Sequence, residues 1–281
     1  MRCTAGEAWA QESLARLRDE GFSATAIGRF LGASRSRASD TRAARPQLRR
    51  QSRRWAVIGA GGWLLLASQG SEPYRRRVRS GLTWWAGVTL MLDWHLGMFE
   101  TEDGIARALG PADALTLARA WLVPVLADSL KPSVVLAAAA TDLLDGAAAR
   151  ATATTRAGRD LEGLVDGTAA LAALIGARRT DALTPAAIGI ELARLSTGLA
   201  YGTHAYLVRT GSPDPAISRA SRSTTPLRVA GLVLAASGRR APGSALLVAG
   251  SLLGLAATAR GARVQQAVTS AACRSAILDR A

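Results

Sequence analysis

The chain has 281 residues, 49% of them apolar, and a formal net charge of +14. That length holds two modest soluble domains or one membrane bundle. Its two cysteines, Cys3 and Cys273, form neither a metal spacing nor a CxxC pair, which excludes a cysteine-based metal or redox site. No basic n-region followed by an apolar h-region opens the chain, so no cleavable signal peptide is expected. Charge and apolarity are segregated. The first 54 residues are polar and basic, whereas beyond residue 110 long Ala/Leu/Val/Gly runs alternate with Arg-rich joints. This alternation predicts an all-α, polytopic membrane bundle; a soluble Ala-rich helical bundle is the alternative. Lys131 is the sole lysine among 35 basic residues, an arginine bias that genome composition also explains.

In chain order, residues 7–18 (EAWAQESLARLR) have apolar positions at helical spacing. Residues 22–39 (FSATAIGRFLGASRSRAS) read as a helix, a turn at Gly32 and a second helix capped by Ser34. That pattern suggests a weak helix-turn-helix with Arg35 and Arg37 facing phosphates. Residues 42–55 (RAARPQLRRQSRRW) read better as a segment on an anionic membrane surface. Residues 1–54 therefore form a basic helical extension, cytoplasmic or at the membrane surface. Residues 55–109 hold two apolar segments of uncertain topology. The first, 55–69, is short for a span. The second, 82–98, embeds Asp93 and His95, either a polar relay or an interfacial pair beside Trp94. If both cross, the intervening YRRRVR at 74–79 falls on the side opposite the basic N-terminus, against the positive-inside tendency.

Six apolar helices follow, at about 112–130, 132–148, 159–177, 184–208, 224–237 and 242–259, within a core spanning 110–260. Residues 261–281 read as a surface helix or tail. No repeat of fixed period is visible.

The chemistry concentrates at the second and third core helices. Asp142 and Asp145, three apart, share one helical face; Glu162 and Asp166, four apart, share another. The short joint ATATTRAG makes these helices antiparallel neighbours, so the four carboxylates converge at the membrane boundary. Such a cluster repels itself unless hard cations relieve it, and Mg²⁺ and Mn²⁺ prefer carboxylate oxygens. Four carboxylates on two helices can hold two ions, a geometry suited to phosphoryl chemistry. Gly146 and Gly158 let backbone approach a ligand, Ala147–Ala149 keep the groove open, and Arg150 offers a fork for phosphate oxygens. The competing reading is a solvated loop whose acids pair with Arg150, Arg156 and Arg159.

This block resembles the CDP-alcohol phosphatidyltransferase signature, D-x2-D-G-x2-A-R-x8-G-x3-D-x3-D. Asp142, Asp145, Gly146, Ala149, Arg150, Gly158 and Asp166 match it in order. Upstream, ADALTLARAWLVP at 112–124 resembles the family's opening helix, N-x-L-T-x2-R-x4-P, at Thr116, Arg119 and Pro124, with Asp113 where Asn is usual. There are two departures. Glu162 stands at the third aspartate, and seven residues rather than eight separate Arg150 from Gly158. The extra methylene of Glu162 either offsets a shifted backbone or weakens one metal site. Asp160 is no substitute, because it lies on another face from Asp166.

The resemblance covers roughly residues 110–260. It implies six transmembrane helices around a polar cavity open to the cytoplasm, as a homodimer. Asp142, Asp145, Glu162 and Asp166 would ligate two Mg²⁺ or Mn²⁺ ions, with Asp166 as general base for the acceptor hydroxyl. Gly146, Ala149, Arg150 and Gly158 would hold the CDP moiety, with Arg119 as a second donor contact. The reaction implied is displacement of CMP from CDP-diacylglycerol or a related CDP-alcohol by an alcohol, in phospholipid biosynthesis. Arg219, Arg222 and Arg228 are candidate contacts for an anionic acceptor, or cytoplasmic anchors. Glu191 and Arg194, i and i+3, read as an internal ion pair. A second hypothesis, from another class, is a non-catalytic membrane protein whose N-terminal helices bind nucleic acid or a partner; the complete carboxylate set stands against it.

Overall fold

The computed structural model describes residues 5–98, 105, 107–151, 155–208 and 214–278. The described residues are all-helical, without a β-strand. The chain divides into two compact units, Met1–Asp181 and Ala182–Ala281.

The first unit holds α1 (Ala5–Asp19), α2 (Ala24–Ala44), α3 (Pro46–Ser68), α4 (Val78–Trp94), α5 (Pro111–Asp128), α6 (Pro132–Ala151) and α7 (Arg156–Arg179). The N-terminal segment departs from its expected form. No turn forms at Gly32 and Ser34 caps nothing, because α2 runs unbroken through both. A mid-helix glycine costs about 1 kcal/mol relative to alanine, which a 21-residue helix tolerates. The chain turns earlier, at Gly21 and Phe22, both with positive φ, and Ser23 caps α2 by accepting from the Ala26 N–H. The arginine-rich 42–55 stretch is split at Arg45: residues 42–44 end α2, and from Pro46 on it is continuous with the apolar residues after it, as one helix.

Helices α3 and α4 form a hairpin locked by reciprocal tryptophan–glycine packing. A Cβ on Gly59 would lie 2.1 Å from the Trp85 ring, and one on Gly81 would lie 2.2 Å from the Trp63 ring. Each of four indole N–H groups donates to a backbone carbonyl: Trp63 to Tyr74, Trp84 to Ala120, Trp85 to Ala56 and Trp121 to Gly59. The rings therefore bury their area without stranding their polar atom. At the far end of α5, the buried Asp128 carboxylate accepts from Arg76 and, at 2.7 Å, from Arg77, while Arg75 pairs with Glu72. Much of the YRRRVR charge is thus matched by acids. Asp93 pairs with Arg42, and His95 Nδ1 lies 2.8 Å from the Met91 carbonyl, so the two do not pair with each other.

Helices α5, α6 and α7 run up, down and up through short joints. Helices α5 and α7 approach closely at Gly176, where a Cβ would stand 2.0 Å from the Leu126 carbonyl oxygen. Two backbones touch there, as small residues permit in membrane helix pairs.

The second unit holds α8 (Pro185–Thr203), continued by a wide turn over His204–Val208, then α9 (Pro215–Arg222), α10 (Thr225–Ala236) and α11 (Arg240–Leu278). Gly231 and Gly243 bring α10 and α11 together, since a Cβ on either would lie 2.8 Å from the other's carbonyl oxygen. Among the described residues one helix is long and apolar enough to cross a membrane, Arg240–Gly261. Elsewhere, acids and arginines interrupt the core helices: Asp113, Arg119 and Asp128 in α5, and Glu191 and Arg194 in α8.

Gly176→Ala is expected to lower the thermal midpoint, by the equivalent of about 1–3 kcal/mol or more, since neither backbone can yield. Gly163→Ala, which meets nothing within 4 Å, should leave the midpoint unchanged or raise it. Thermal melts of the two purified variants check this.

Candidate functional site

One stripe of α5 carries Asp113, Thr116 and Arg119, spaced three apart, and each contacts the α6–α7 pair. Asp113, at the third position of the helix, accepts from the Gly110 N–H at 2.7 Å. Its other oxygen lies 2.9 Å from where a Cβ on Gly158 would be, and the Thr155 hydroxyl lies 3.0 Å from the same point. Gly158 is therefore glycine because a carboxylate and a capping hydroxyl crowd it. Thr155 caps α7 by accepting from the Gly158 N–H. One turn along α5, the Thr116 hydroxyl lies 3.2 Å from Asp145 Oδ2.

Another turn on, the Arg119 guanidinium meets three carboxylates. Its Nη1 donates to Asp166 and lies 3.0 Å from an Asp142 oxygen, and its Nη2 donates to Asp145. Its Nε points to the Thr141 hydroxyl at 3.4 Å. Arg119 and Asp145 are buried, with side chains 3% and 4% exposed, whereas Asp142 and Asp166 are 38% and 44% exposed. The cluster has a closed floor and an accessible mouth. One positive charge faces three negative ones, so the pairing leaves an excess of negative charge in a poorly solvated place.

The donor chemistry suits hard divalent cations, which take carboxylate oxygens. Among the described residues, however, no three acidic, His or Cys side chains enclose a common point open to an ion. The guanidinium fills the space on which Asp142, Asp145 and Asp166 converge. Ion loading would require Arg119 to give way.

Three of the four predicted acids, Asp142, Asp145 and Asp166, thus meet, but on arginine. Glu162 is half-buried on α7, one turn before Asp166, and Gly146 is half-buried beside Asp145 on α6. Ala149 and Arg150 lie within α6, and Arg156, Arg159 and Asp160 within α7; the side chains of all five lie outside the described residues, as do residues 152–154 of the joint. Arg119 sits at the centre of the acids rather than at the edge of a donor site. The i, i+3, i+6 polar stripe on α5 was the available signal for this, since it sets Asp113 and Thr116 on the same face as Arg119.

The second unit contains a separate polar cluster. Buried Glu191 accepts from Arg194 at 2.6 and 2.8 Å, from Arg228 at 3.3 Å and from Ser251 at 2.6 Å. The expected Glu191–Arg194 ion pair is present, and Arg228 joins it. Arg219 and Arg222 are exposed on the short helix α9. Compared with protein-family models, curated proteins and solved structures, the chain matches none.

Arg119→Gln should destabilise the protein by roughly 3–5 kcal/mol, because it strands the buried Asp145 carboxylate. Adding Asp145→Asn should recover part of that loss. Denaturation of the two single variants and the double variant checks the coupling; strictly additive losses would contradict the pairing.

Proposed function

We propose that this protein is an integral membrane CDP-alcohol phosphotransferase. The observation that carries the reading is the meeting of Asp142, Asp145 and Asp166 from antiparallel α6 and α7, at the positions of a phosphotransferase signature. The substrates that fit are CDP-diacylglycerol or a related CDP-alcohol as donor and an alcohol as acceptor.

Asp142, Asp145, Glu162 and Asp166 would hold two Mg²⁺ or Mn²⁺ ions, which supply charge neutralisation at the diphosphate when bound. Gly146, Ala149 and Arg150 would hold the CDP moiety, Arg150 by pairing with phosphate oxygens, and Gly158, backed by Asp113 and Thr155, would form the wall of that site. Asp166, at the exposed mouth, takes the proton of the acceptor hydroxyl. The acceptor oxygen bonds to the phosphorus of the transferred group, the bond from that phosphorus to the bridging oxygen breaks, and the electron pair leaves with CMP. Arg119 balances the acids when the site is empty, and serves as a donor contact once they are otherwise neutralised. Arg219 and Arg222 remain candidates for an anionic acceptor. Arg228 would have to share its charge with Glu191.

A membrane setting with six core spans and a homodimeric assembly belongs to the same reading. Large apolar side chains face outward along the helices: Val57 is 71% exposed, Leu143 74% and Leu199 72%. Helix pairs meet at glycines, as in membrane bundles. The basic start of α3, the end of α4 and the start of α5 share the end of the first unit that holds the acids. That end faces the cytoplasm; on the other side, Glu72 and Asp128 pair with three of the four arginines at 74–79.

Purified protein with Mn²⁺ or Mg²⁺ should release CMP from CDP-diacylglycerol in the presence of one of a panel of alcohols. Asp142→Asn and Asp166→Asn should each reduce turnover at least about a hundredfold without changing the melting profile. Full activity in both variants would exclude the assignment. Glu162→Asp tests the departure from the signature: lower activity means that the shortened loop is matched to the longer side chain.

A further inference from the structure

The N-terminal extension has no role in the chemistry above, yet it is built into the same hydrophobic core. Trp9, Ala10, Leu48 and Trp55 pack in one cluster with Leu109 and Leu117, and with Ala157, Leu161 and Val165 of α7. We propose that α2 and α3 form a clamp that positions the segment leading into α5, and through it the Asp113–Gly158 contact, with Arg45 and Gln51 as positioning residues for nucleotide binding. The inference rests on the phosphotransferase reading of the site.

The clamp has a fixed base. Arg42 pairs with Asp93 at the end of α4. Arg37 donates to the Gly97 carbonyl at 3.1 Å and lies over the Trp9 ring, 5.3 Å from its centre. Gly97 lets Arg37 approach, because a Cβ there would come within 2.8 Å of the Arg37 side chain and force it to shift. From this base, two side chains reach the non-helical residues before α5. Arg45 donates to the Arg107 carbonyl, and the Gln51 side-chain oxygen accepts from the Leu109 N–H at 3.1 Å. These partners are backbone groups 62 and 58 residues away in sequence.

The next amide along the chain is that of Gly110, which donates to Asp113, and Asp113 abuts Gly158. Gly158 is the signature glycine placed against the nucleotide. A movement at Leu109 therefore passes through one hydrogen bond to Asp113 and then to the wall of the nucleotide site. A displacement of about 1 Å in such a wall is enough to change binding or rate markedly. The bond contributes only about as much as an ordinary hydrogen bond to stability, so its loss should leave the fold intact.

The test uses full-length protein in detergent and compares wild type with Gln51→Leu, which removes the acceptor, and Gln51→Glu, which keeps it. Hydrogen exchange should be about tenfold faster at residues 109–113 in Gln51→Leu and unchanged within α7. In the same variant, KM for CDP-diacylglycerol should rise about fivefold or more, with kcat changed less. Gln51→Glu should restore both. Unchanged exchange in Gln51→Leu would overturn the clamp. Faster exchange with an unchanged KM would reduce Gln51 to a structural bond and overturn its positioning role. Absence of CMP release from the wild type is a separate result: it would end the phosphotransferase reading and the positioning role with it, while exchange still reports whether Gln51 holds the segment.

Discussion

The first unit depends on one buried guanidinium. Arg119 holds Asp142 and Asp145 of α6 and Asp166 of α7 against α5. Three carboxylates from two helices would repel one another in a poorly solvated interior, and only a cation between them lets α6 and α7 stay adjacent at that level. A second constraint acts ten residues along α7, where Gly176 allows the helix to touch the Leu126 carbonyl. The two points are about 15 Å apart along the helix. One is electrostatic and one is steric, and together they fix the direction of α7 against α5.

The same arrangement explains how a polar site sits inside an apolar bundle. The acids are not solvated singly. They share one arginine, one threonine hydroxyl and an exposed mouth. Because the arginine supplies one positive charge for three negative ones, the cluster is under-neutralised and retains an attraction for cations. The structural role and the proposed ligand-binding role thus fall on the same atoms. The N-terminal helices extend this logic outward, since their tryptophan and leucine side chains complete the core behind α5 while Arg45 and Gln51 hold the backbone in front of it.

Much of this was legible in the sequence. The apolar runs at 112–130, 132–148 and 224–237 correspond to Pro111–Asp128, Pro132–Ala151 and Thr225–Ala236, because prolines and polar joints punctuate them. The meeting of Asp142 and Asp145 with Asp166 followed from helical spacing and the short joint between the helices. What misled was local punctuation in the extension. Gly32 reads as a turn, yet its surroundings are open and the helix passes through it. The true turn used Gly21, Phe22 and the Ser23 cap. The bonds that matter most to the site's frame, Arg42 to Asp93 and Gln51 to Leu109, join residues more than 50 positions apart, and no periodic pattern encodes them. Arg119 falls at a position of the resemblance in the opening helix, but its place among the acids depends on tertiary packing of three helices.

The central claim is that these acids exchange their arginine for divalent cations beneath a nucleotide diphosphate. Titration of the purified protein with Mn²⁺, following free Mn²⁺ by electron paramagnetic resonance with and without CDP, tests it most directly. Saturable binding that CDP tightens, and that is lost when Asp142 and Asp166 are replaced together by asparagine, is the predicted result. Binding that never saturates, or that survives the double replacement unchanged, would contradict it.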